Sequence, residues 1–361
     1  MNHSKFSLPL FVVVLTLANL LPDLHAQAPS EKITVDDKER TFIVHLPKGY
    51  DAKQHYALVI LLHTRDQDAS DMEQLTRFDE LADRDSLIAV YPNSTGRGWN
   101  LGVTQEEPSP SPMGRRGGHH GGWGGGGGGY PGGGYPGGGG GYPGGGGGYP
   151  GGGQSGGREN HATPADDNAF IDQMLEKLSS EYSVDSTRVY AAGLSDGGFM
   201  AFRLGCTMAD RFAGIAAIGA AMPKHLTCLP SHPLTVVMMN GTSDPIVHYN
   251  GGHVGSYSVL SAEDSSKYWA KLNGCPSKPQ HQKMPPREKA GMKTEVDTYD
   301  DCQKSAQVVL YSIDGGGNTW PGGEQYLVEK VIGKTSSDVN ANEVMWSFFA
   351  HSQIASPQPP K

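Results

Sequence analysis

Residues 188–198 read RVYAAGLSDGG, and this stretch gives the strongest indication of the fold. The apolar run at residues 189–192 is typical of a buried strand, and the residues after Gly197 have the spacing of a helix. Glycines on both sides of Ser195 permit a sharp turn between the two. We therefore predict a strand, a tight turn that presents the Ser195 hydroxyl, and a helix over residues 197–209.

The same G-x-S-x-G pattern occurs a second time, at residues 153–157. There Ser155 lies in a glycine-rich stretch, with no apolar run before it and no helical pattern after it. The strand–turn–helix setting therefore singles out Ser195 as the candidate nucleophile. The alternative is that residues 193–197 form a tight turn and nothing more.

Strand and helix patterns alternate along the rest of the chain. Residues 57–62 (ALVILL) form a continuous apolar run, typical of a strand buried on both faces. Other strands are predicted at residues 41–46, 87–91, 215–218, 234–239 and 308–313, and other helices at 71–85, 166–182, 262–272 and 342–351. This alternation predicts an α/β fold, a mainly parallel central sheet with helices on both faces. Ligands of such sheets bind at the carboxyl ends of the strands.

Glycine is concentrated in one segment of the chain, because 28 of the 51 glycines fall within residues 117–157. We predict a single domain over residues 27–361, interrupted at residues 108–160 by a flexible low-complexity insertion. The alternative is a tethered segment whose tyrosines touch a polymer or a wall. His119 and His120 at its edge are too few to predict a metal site, and we expect no metal and no cofactor.

Charge and the amino-terminal residues bear on the partners and the compartment. A net charge of -9 without a basic stripe argues against nucleic acid as a partner. Residues 1–26 combine Lys5, an apolar run and a small residue at Ala26, which predicts a secretory signal peptide. A membrane anchor is the alternative, but the run is short and contains Pro9. We expect a secreted protein, extracellular or periplasmic, without a membrane span.

Four cysteines fit an oxidising compartment, and none belongs to a C-x-x-C pair. Their order suggests Cys206 with Cys228 and Cys275 with Cys302. Four cysteines still allow three pairings, and the spacing alone does not choose among them.

A serine on such a turn needs an acid and then a base later in the chain. Asp244 fits the acid, because it follows the predicted strand at residues 234–239 within the sequence NGTSDP. The alternative is structural, since an aspartate before a proline is common in turns.

Together these motifs resemble the secreted poly(3-hydroxybutyrate) depolymerase and feruloyl esterase family of α/β-hydrolases. The matching pieces lie at residues 57–63, 91–93, 166–167, 193–198, 241–249 and 315–323. The resemblance implies Ser195 as nucleophile, Asp244 as triad acid and the cysteine pairing suggested above. It also implies an ester substrate, either a polyester oligomer or a feruloylated polysaccharide.

The chain departs from the family where the catalytic base is expected. The family carries its histidine in a GGGHxWPGG stretch, whereas residues 315–323 read GGGNTWPGG and place Asn318 at that position. An amide cannot accept the serine proton at any useful pH. His248 is a candidate substitute base, four residues after Asp244, and His253 is the next. The alternative is that His248 is a solvated loop residue.

A second departure concerns the oxyanion hole. The family has His-Gly after the strand that ends near residue 62, whereas this chain has His63-Thr64. The β-branched threonine adds bulk where a backbone N–H must approach the substrate oxygen. The expected donors are the N–H of Asp196 and one near Thr64 or Arg65.

Three functions follow from these observations. The first is a secreted carboxylic-ester hydrolase in which Ser195 forms an acyl-enzyme. The second is a catalytically impaired homologue that binds a polymer or carbohydrate without cutting it, as Asn318 and Thr64 suggest. The third is a surface interaction protein that acts through its glycine-tyrosine segment, which only the composition supports.

Overall fold

A computed structural model describes residues 30–103, 166–255, 257–287 and 291–354. The predicted signal peptide and the insertion at residues 108–160, with His119, His120 and Ser155, lie outside the described residues. The proposed domain boundaries therefore stay predictions.

The described residues form twelve strands and seven α-helices. The strands are β1 (Ser30–Val35), β2 (Lys38–His45), β3 (Tyr56–Leu62), β4 (Leu87–Pro92), β5 (Val184–Leu194), β6 (Gly214–Ile218), β7 (Thr235–Gly241), β8 (Gly252–Val254), β9 (Tyr257–Val259), β10 (Gln280–Met284), β11 (Thr294–Tyr299) and β12 (Val308–Ile313). The helices are α1 (Ala69–Thr76), α2 (Phe78–Asp85), α3 (Asp167–Glu181), α4 (Asp196–Thr207), α5 (Ala262–Leu272), α6 (Glu329–Ile332) and α7 (Ala341–Phe349).

Ten of these strands form one sheet in the order β1-β2-β4-β3-β5-β6-β7-β12-β11-β10. Its centre, from β4 to β12, is parallel throughout. The outer strands β1, β2, β10 and β11 pair antiparallel, and β8 and β9 form a separate hairpin. The predicted α/β-hydrolase fold with a mainly parallel central sheet is confirmed.

Strand β3 shows why the central strands read as continuous apolar runs. Leu58, Ile60 and Leu62 point to one face, where they pack with side chains from α3, α4 and α5. The alternate residues of β3 point to the other face, with side chains from α1, α2 and α7. Because helices cover both faces, no position of this strand tolerates a polar side chain.

The single helix predicted at residues 71–85 is wrong. Arg77 takes a left-handed conformation, with φ 48 and ψ 35, and divides the segment into α1 and α2. The Thr76 hydroxyl bonds to the carbonyl oxygen of Met72 at 2.8 Å within the last turn of α1. The apolar side chains on both sides of the break still face the same core, which is why their spacing reads as one helix.

Both disulfides suggested by the sequence are present. Cys206 is bonded to Cys228 and Cys275 to Cys302. No helix in the described part of the chain is long and apolar enough to cross a bilayer.

Candidate active site

The candidate residues collect at one edge of the sheet because they follow parallel strands at their carboxyl ends. Thr64 follows β3, Ser195 follows β5, Asp244 follows β7 and Asn318 follows β12. These four strands run in the same direction. The edge is therefore the one at which a ligand is expected.

Ser195 occupies the turn between β5 and α4 with φ 53 and ψ -109, a conformation that a serine rarely adopts. Its N–H donates to the carbonyl oxygen of Ile218 at 2.8 Å, and its own carbonyl accepts from Phe199 at 2.9 Å. A Cβ on Gly197 would lie 2.1 Å from the carbonyl oxygen of Leu62. The helix therefore begins in direct backbone contact with the end of β3, and only glycine fits there.

Asp244 and Asn318 meet through the loops that carry them. The N–H of Ser243 donates to the carbonyl oxygen of Gly316 at 3.0 Å, which holds the two loops side by side. Asn318 Nδ2 then donates to Asp244 Oδ2 at 2.7 Å and to the carbonyl oxygen of Gly219 at 3.0 Å. Both side chains are buried.

Asn318 reproduces only half of an imidazole. Its Nδ2 stands where the ring N–H of a triad histidine would donate to the acid, but the amide has no second nitrogen that accepts a proton. Both contacts of Nδ2 are acceptors, which fixes the orientation of the amide. Its Oδ1 is buried without a hydrogen-bond partner in the described structure.

The carboxyl of Asp244 is held in an apolar setting. Burial raises its pKa from the usual 3.8 to about 6. Hydrogen bonds from Asn318 and from the N–H groups of Ile246 and Val247, both at 2.8 Å, act in the opposite direction. These donors, and to a smaller extent the nearby His248, stabilise the charged form.

We expect Asp244 to make the fold less stable as pH rises. Between about pH 4 and pH 6 the unfolded chain releases this proton while the folded chain retains it, so unfolding becomes easier. Above about pH 6 the full cost is on the order of 3 kcal/mol. Urea unfolding of Asp244→Asn and the parent chain across this range measures it, with Asp210→Asn, an exposed site, as the control. A difference between parent and Asp244→Asn that does not change with pH would contradict this expectation.

The segment expected to supply a second oxyanion donor lies beside the nucleophile turn. Asp196 is the first residue of α4, so its N–H has no acceptor within the helix. In the loop after β3, Asp66 donates its N–H to the carbonyl oxygen of Arg97 at 2.8 Å. Thr64 and Arg65 lie in the same loop and line the cavity with Ser195, so one of their N–H groups is the expected second donor.

His248, His253 and His63 each make contacts with groups other than Ser195. His248 is exposed, and its Nδ1 lies 3.2 Å from the backbone oxygen of Asp244. His253 lies on the β8–β9 hairpin, with Nδ1 3.3 Å from the Ser258 hydroxyl. His63 is buried, with Nδ1 2.8 Å from the carbonyl oxygen of Thr64, and its Nε2 accepts the N–H of Ser94 at 3.1 Å. Burial lowers the pKa of His63.

A cavity of about 500 Å³ opens at the nucleophile. It has a polar side, formed by Thr64, Arg65, Asp66, Arg97 and Asp196, and an apolar side, formed by Phe199, Ile246, Val254, Tyr257, Tyr326, Leu327 and Ile332. Ser195 also lines the cavity, whereas Asp244 and Asn318 are buried and do not line it. The sequence pattern did not predict the apolar side, because its residues come from segments that are far apart in the chain.

Within the described ranges, no group of three or more His, Cys, Asp or Glu side chains is arranged to hold a metal ion.

The chain is similar in sequence to several esterases. It is 34% identical to feruloyl esterase B of Piromyces equi over 165 residues, 43% of this chain and 29% of that protein. It is 27% identical to probable feruloyl esterase C of Aspergillus niger, over 52% of this chain and 58% of that protein. The putative esterase NocK of Nocardia uniformis subsp. tsuyamanensis is 22% identical over 91% and 84%. The chain thus spans less than a third of the Piromyces protein.

Among solved structures, acetyl xylan esterase from Aspergillus awamori superposes with a TM-score of 0.50 at 12% identity, covering 90% of this chain and 99% of that one. This likeness concerns the fold. No protein-family model matches the chain. The fold and the sequence similarity together support the resemblance to the secreted poly(3-hydroxybutyrate) depolymerase and feruloyl esterase family of α/β-hydrolases that the motifs indicate.

Proposed function

We propose that this protein is a slow serine-type carboxylic-ester hydrolase, with Ser195 as nucleophile and Asp244 in the position of the triad acid. The observation that carries the proposal is the strained turn at Ser195, which faces a cavity at the carboxyl edge of the sheet. Strain of this kind persists where the surrounding structure enforces it, commonly at active sites. Esterase relatives support the same class of reaction.

The reaction would proceed through an acyl-enzyme. Ser195 Oγ attacks the ester carbonyl carbon, and the carbonyl oxygen gains negative charge opposite the N–H groups of Asp196 and of Thr64 or Arg65. The hydroxyl proton passes to water, since Asn318 cannot take it. The alkoxide departs and is protonated by water. A second water then hydrolyses the serine ester and restores the hydroxyl.

This route predicts low turnover, because every proton moves to or from solvent. Loss of the histidine alone costs about 10⁶ in turnover in a serine protease, and about 10³–10⁴ over water survives through the oxyanion hole and binding. The buried pair of Asp244 and Asn318 then serves to hold the loop and not to relay a proton.

The apolar side of the cavity supports an ester with a bulky apolar portion. Ile246 and Leu327 line the cavity and are 38% and 50% exposed, and Val328 and Val331, shortly after Leu327 in the chain, are 67% and 50% exposed. Exposed aliphatic side chains at a cavity mouth are typical of ligand contact. A polyester oligomer and a feruloylated polysaccharide both carry such a portion, and the two disulfides fit the proposed secretion.

We expect Ser195→Ala to hydrolyse p-nitrophenyl butyrate more slowly than the parent chain and to retain parent-level stability, because it can no longer form the acyl-enzyme. The variant should keep at most the advantage of about 10³–10⁴ over water that the oxyanion hole and binding supply, because only the route through the acyl-enzyme is lost. Release of p-nitrophenol measures it, and native Asp210→Asn is the matched control. Hydrolysis by Ser195→Ala equal to the parent would refute the nucleophile.

A second candidate function is favoured by Asn318, namely a homologue that binds ester polymers without turnover. The hydrolysis assay on the parent chain and Ser195→Ala separates this candidate from the first. A parent chain that binds polyester or xylan particles in a pull-down, yet hydrolyses no faster than Ser195→Ala, would be a binding protein.

A further inference from the structure

We infer that the carboxylate of Asp196 is a positioning group, which holds together the two chain segments that carry the proposed oxyanion donors. The inference rests on the proposed function, because it concerns the N–H groups that would receive the substrate oxygen. Asp196 itself supplies one of these N–H groups from the start of α4, and its side chain reaches the loop that supplies the other.

The contacts of this carboxylate join three segments. Its side chain is 7% exposed. Oδ2 accepts from the N–H of Trp99 at 2.9 Å, in the loop after β4. Oδ1 lies 3.3 Å from an Arg65 guanidinium nitrogen, in the loop after β3. The helix start is thereby bonded to both loops.

The two loops are also bonded to each other, which makes the arrangement closed. Trp99 Nε1 donates to the carbonyl oxygen of His63 at 2.9 Å. The N–H of Ser94 donates to His63 Nε2 at 3.1 Å. The N–H of Asp66 donates to the carbonyl oxygen of Arg97 at 2.8 Å. A shift of the Asp196 carboxylate would therefore move the segment that contains Thr64 and Arg65.

The packing around the carboxylate leaves little freedom. A Cβ on Gly98 would lie 2.0 Å from Asp196 Oδ2, so the loop after β4 passes directly over the carboxylate. On the other side of Asp196, Gly197 touches the end of β3. The residue between these two contacts is held from both sides, as a donor of fixed direction requires.

The charge of Asp196 argues for positioning and against direct stabilisation of the transition state. A carboxylate near a developing oxyanion repels it. The guanidinium of Arg65 at 3.3 Å offsets that charge, and a negative side chain in the first turn of α4 suits the helix dipole. The hydrogen bonds therefore supply alignment, while the pairing with Arg65 keeps the site close to neutral.

The first test is kinetic and compares Asp196→Ala and Asp196→Asn with the exposed Asp210→Asn. For p-nitrophenyl butyrate we expect Asp196→Ala to lower kcat by about 10–100-fold with KM changed by less than about threefold. The affinity for a trifluoromethyl ketone, whose serine adduct places an oxyanion in the same site, should fall in parallel. Asp196→Asn should lose less, because its amide oxygen still accepts from Trp99. A rise in KM alone, with kcat unchanged, would overturn the inference.

The second test does not depend on activity. Hydrogen–deuterium exchange at residues 63–67 and 97–100 should accelerate in Asp196→Ala, and less so in Asp196→Asn, while Asp210→Asn matches the parent. Unchanged exchange in both Asp196 variants would also overturn the inference. If Ser195→Ala leaves hydrolysis unaltered, the proposed function fails, and the exchange result still decides whether Asp196 joins the segments.

Discussion

Asn318→His should increase the hydrolysis of p-nitrophenyl butyrate by about 10²-fold or more, because it restores beside Asp244 the base that the resembling family carries at this position. The amide already makes the contact that a histidine ring N–H would make, 2.7 Å from Asp244 Oδ2. Imidazole adds the second nitrogen, which would accept the Ser195 proton and later protonate the alcohol.

The design needs controls for volume and for fold, since Asn318 is fully buried. Asn318→Gln lengthens the side chain without a titratable nitrogen, so we expect no gain. Adding Ser195→Ala to Asn318→His should abolish any gain. Urea unfolding shows whether each variant retains the fold. Equal rates for the folded histidine, glutamine and parent chains would show that position 318 is not the missing base.

A gain in Asn318→His would also carry a pH signature. The imidazolium that forms in the reaction would face Asp244, whose carboxyl now has a pKa of about 6 because it is buried. An adjacent cation favours the carboxylate form. We therefore expect activity to rise with pH as the new histidine loses its proton, and the parent chain to lack this rise.

Asp167→Ala should destabilise the protein by about 3–5 kcal/mol, because it leaves a buried arginine without its counter-charge. Arg40 Nη2 lies 2.7 Å from Asp167 Oδ1, and the two side chains are only 2% and 1% exposed. The guanidinium also lies 3.8 Å from the centroid of the Phe170 ring. Asp167 Oδ2 accepts the N–H of Asn100 at 2.6 Å, so the carboxylate also joins the two chain ends on either side of residues 104–165.

Urea unfolding of Asp167→Ala measures this loss as a lower midpoint at a similar slope. The control is Glu39→Ala, which breaks the exposed pair of Lys32 and Glu39, with both side chains 61% exposed. It should cost less than about 1 kcal/mol. The double variant Arg40→Met with Asp167→Leu should recover much of the stability, because neither charge then remains buried. A loss in Asp167→Ala no greater than in Glu39→Ala would contradict the account.

The sequence alone predicted the sheet because burial on both faces leaves a strong local pattern. The runs at residues 57–62 and 189–192 are apolar at every position, as is typical of strands buried on both faces. The edge strands β1 and β10 were not predicted, because most of their residues are polar or exposed, and β11 was not predicted because half-buried and exposed positions interrupt its buried ones. The break at Arg77 was missed since both halves of the helix pattern face one core.

The candidate site residues could also be identified from sequence motifs alone, including the asparagine where the resembling family has histidine. Only the tertiary structure decided what they touch. The bond from Asn318 to Asp244, the exposure of His248 and the three-way contact of Asp196 each join residues that are distant in sequence or point in directions no local pattern specifies. The residue types determine which reactions the site can support, whereas the distances between these side chains depend on how the parallel strands bring separate loops to one edge of the sheet.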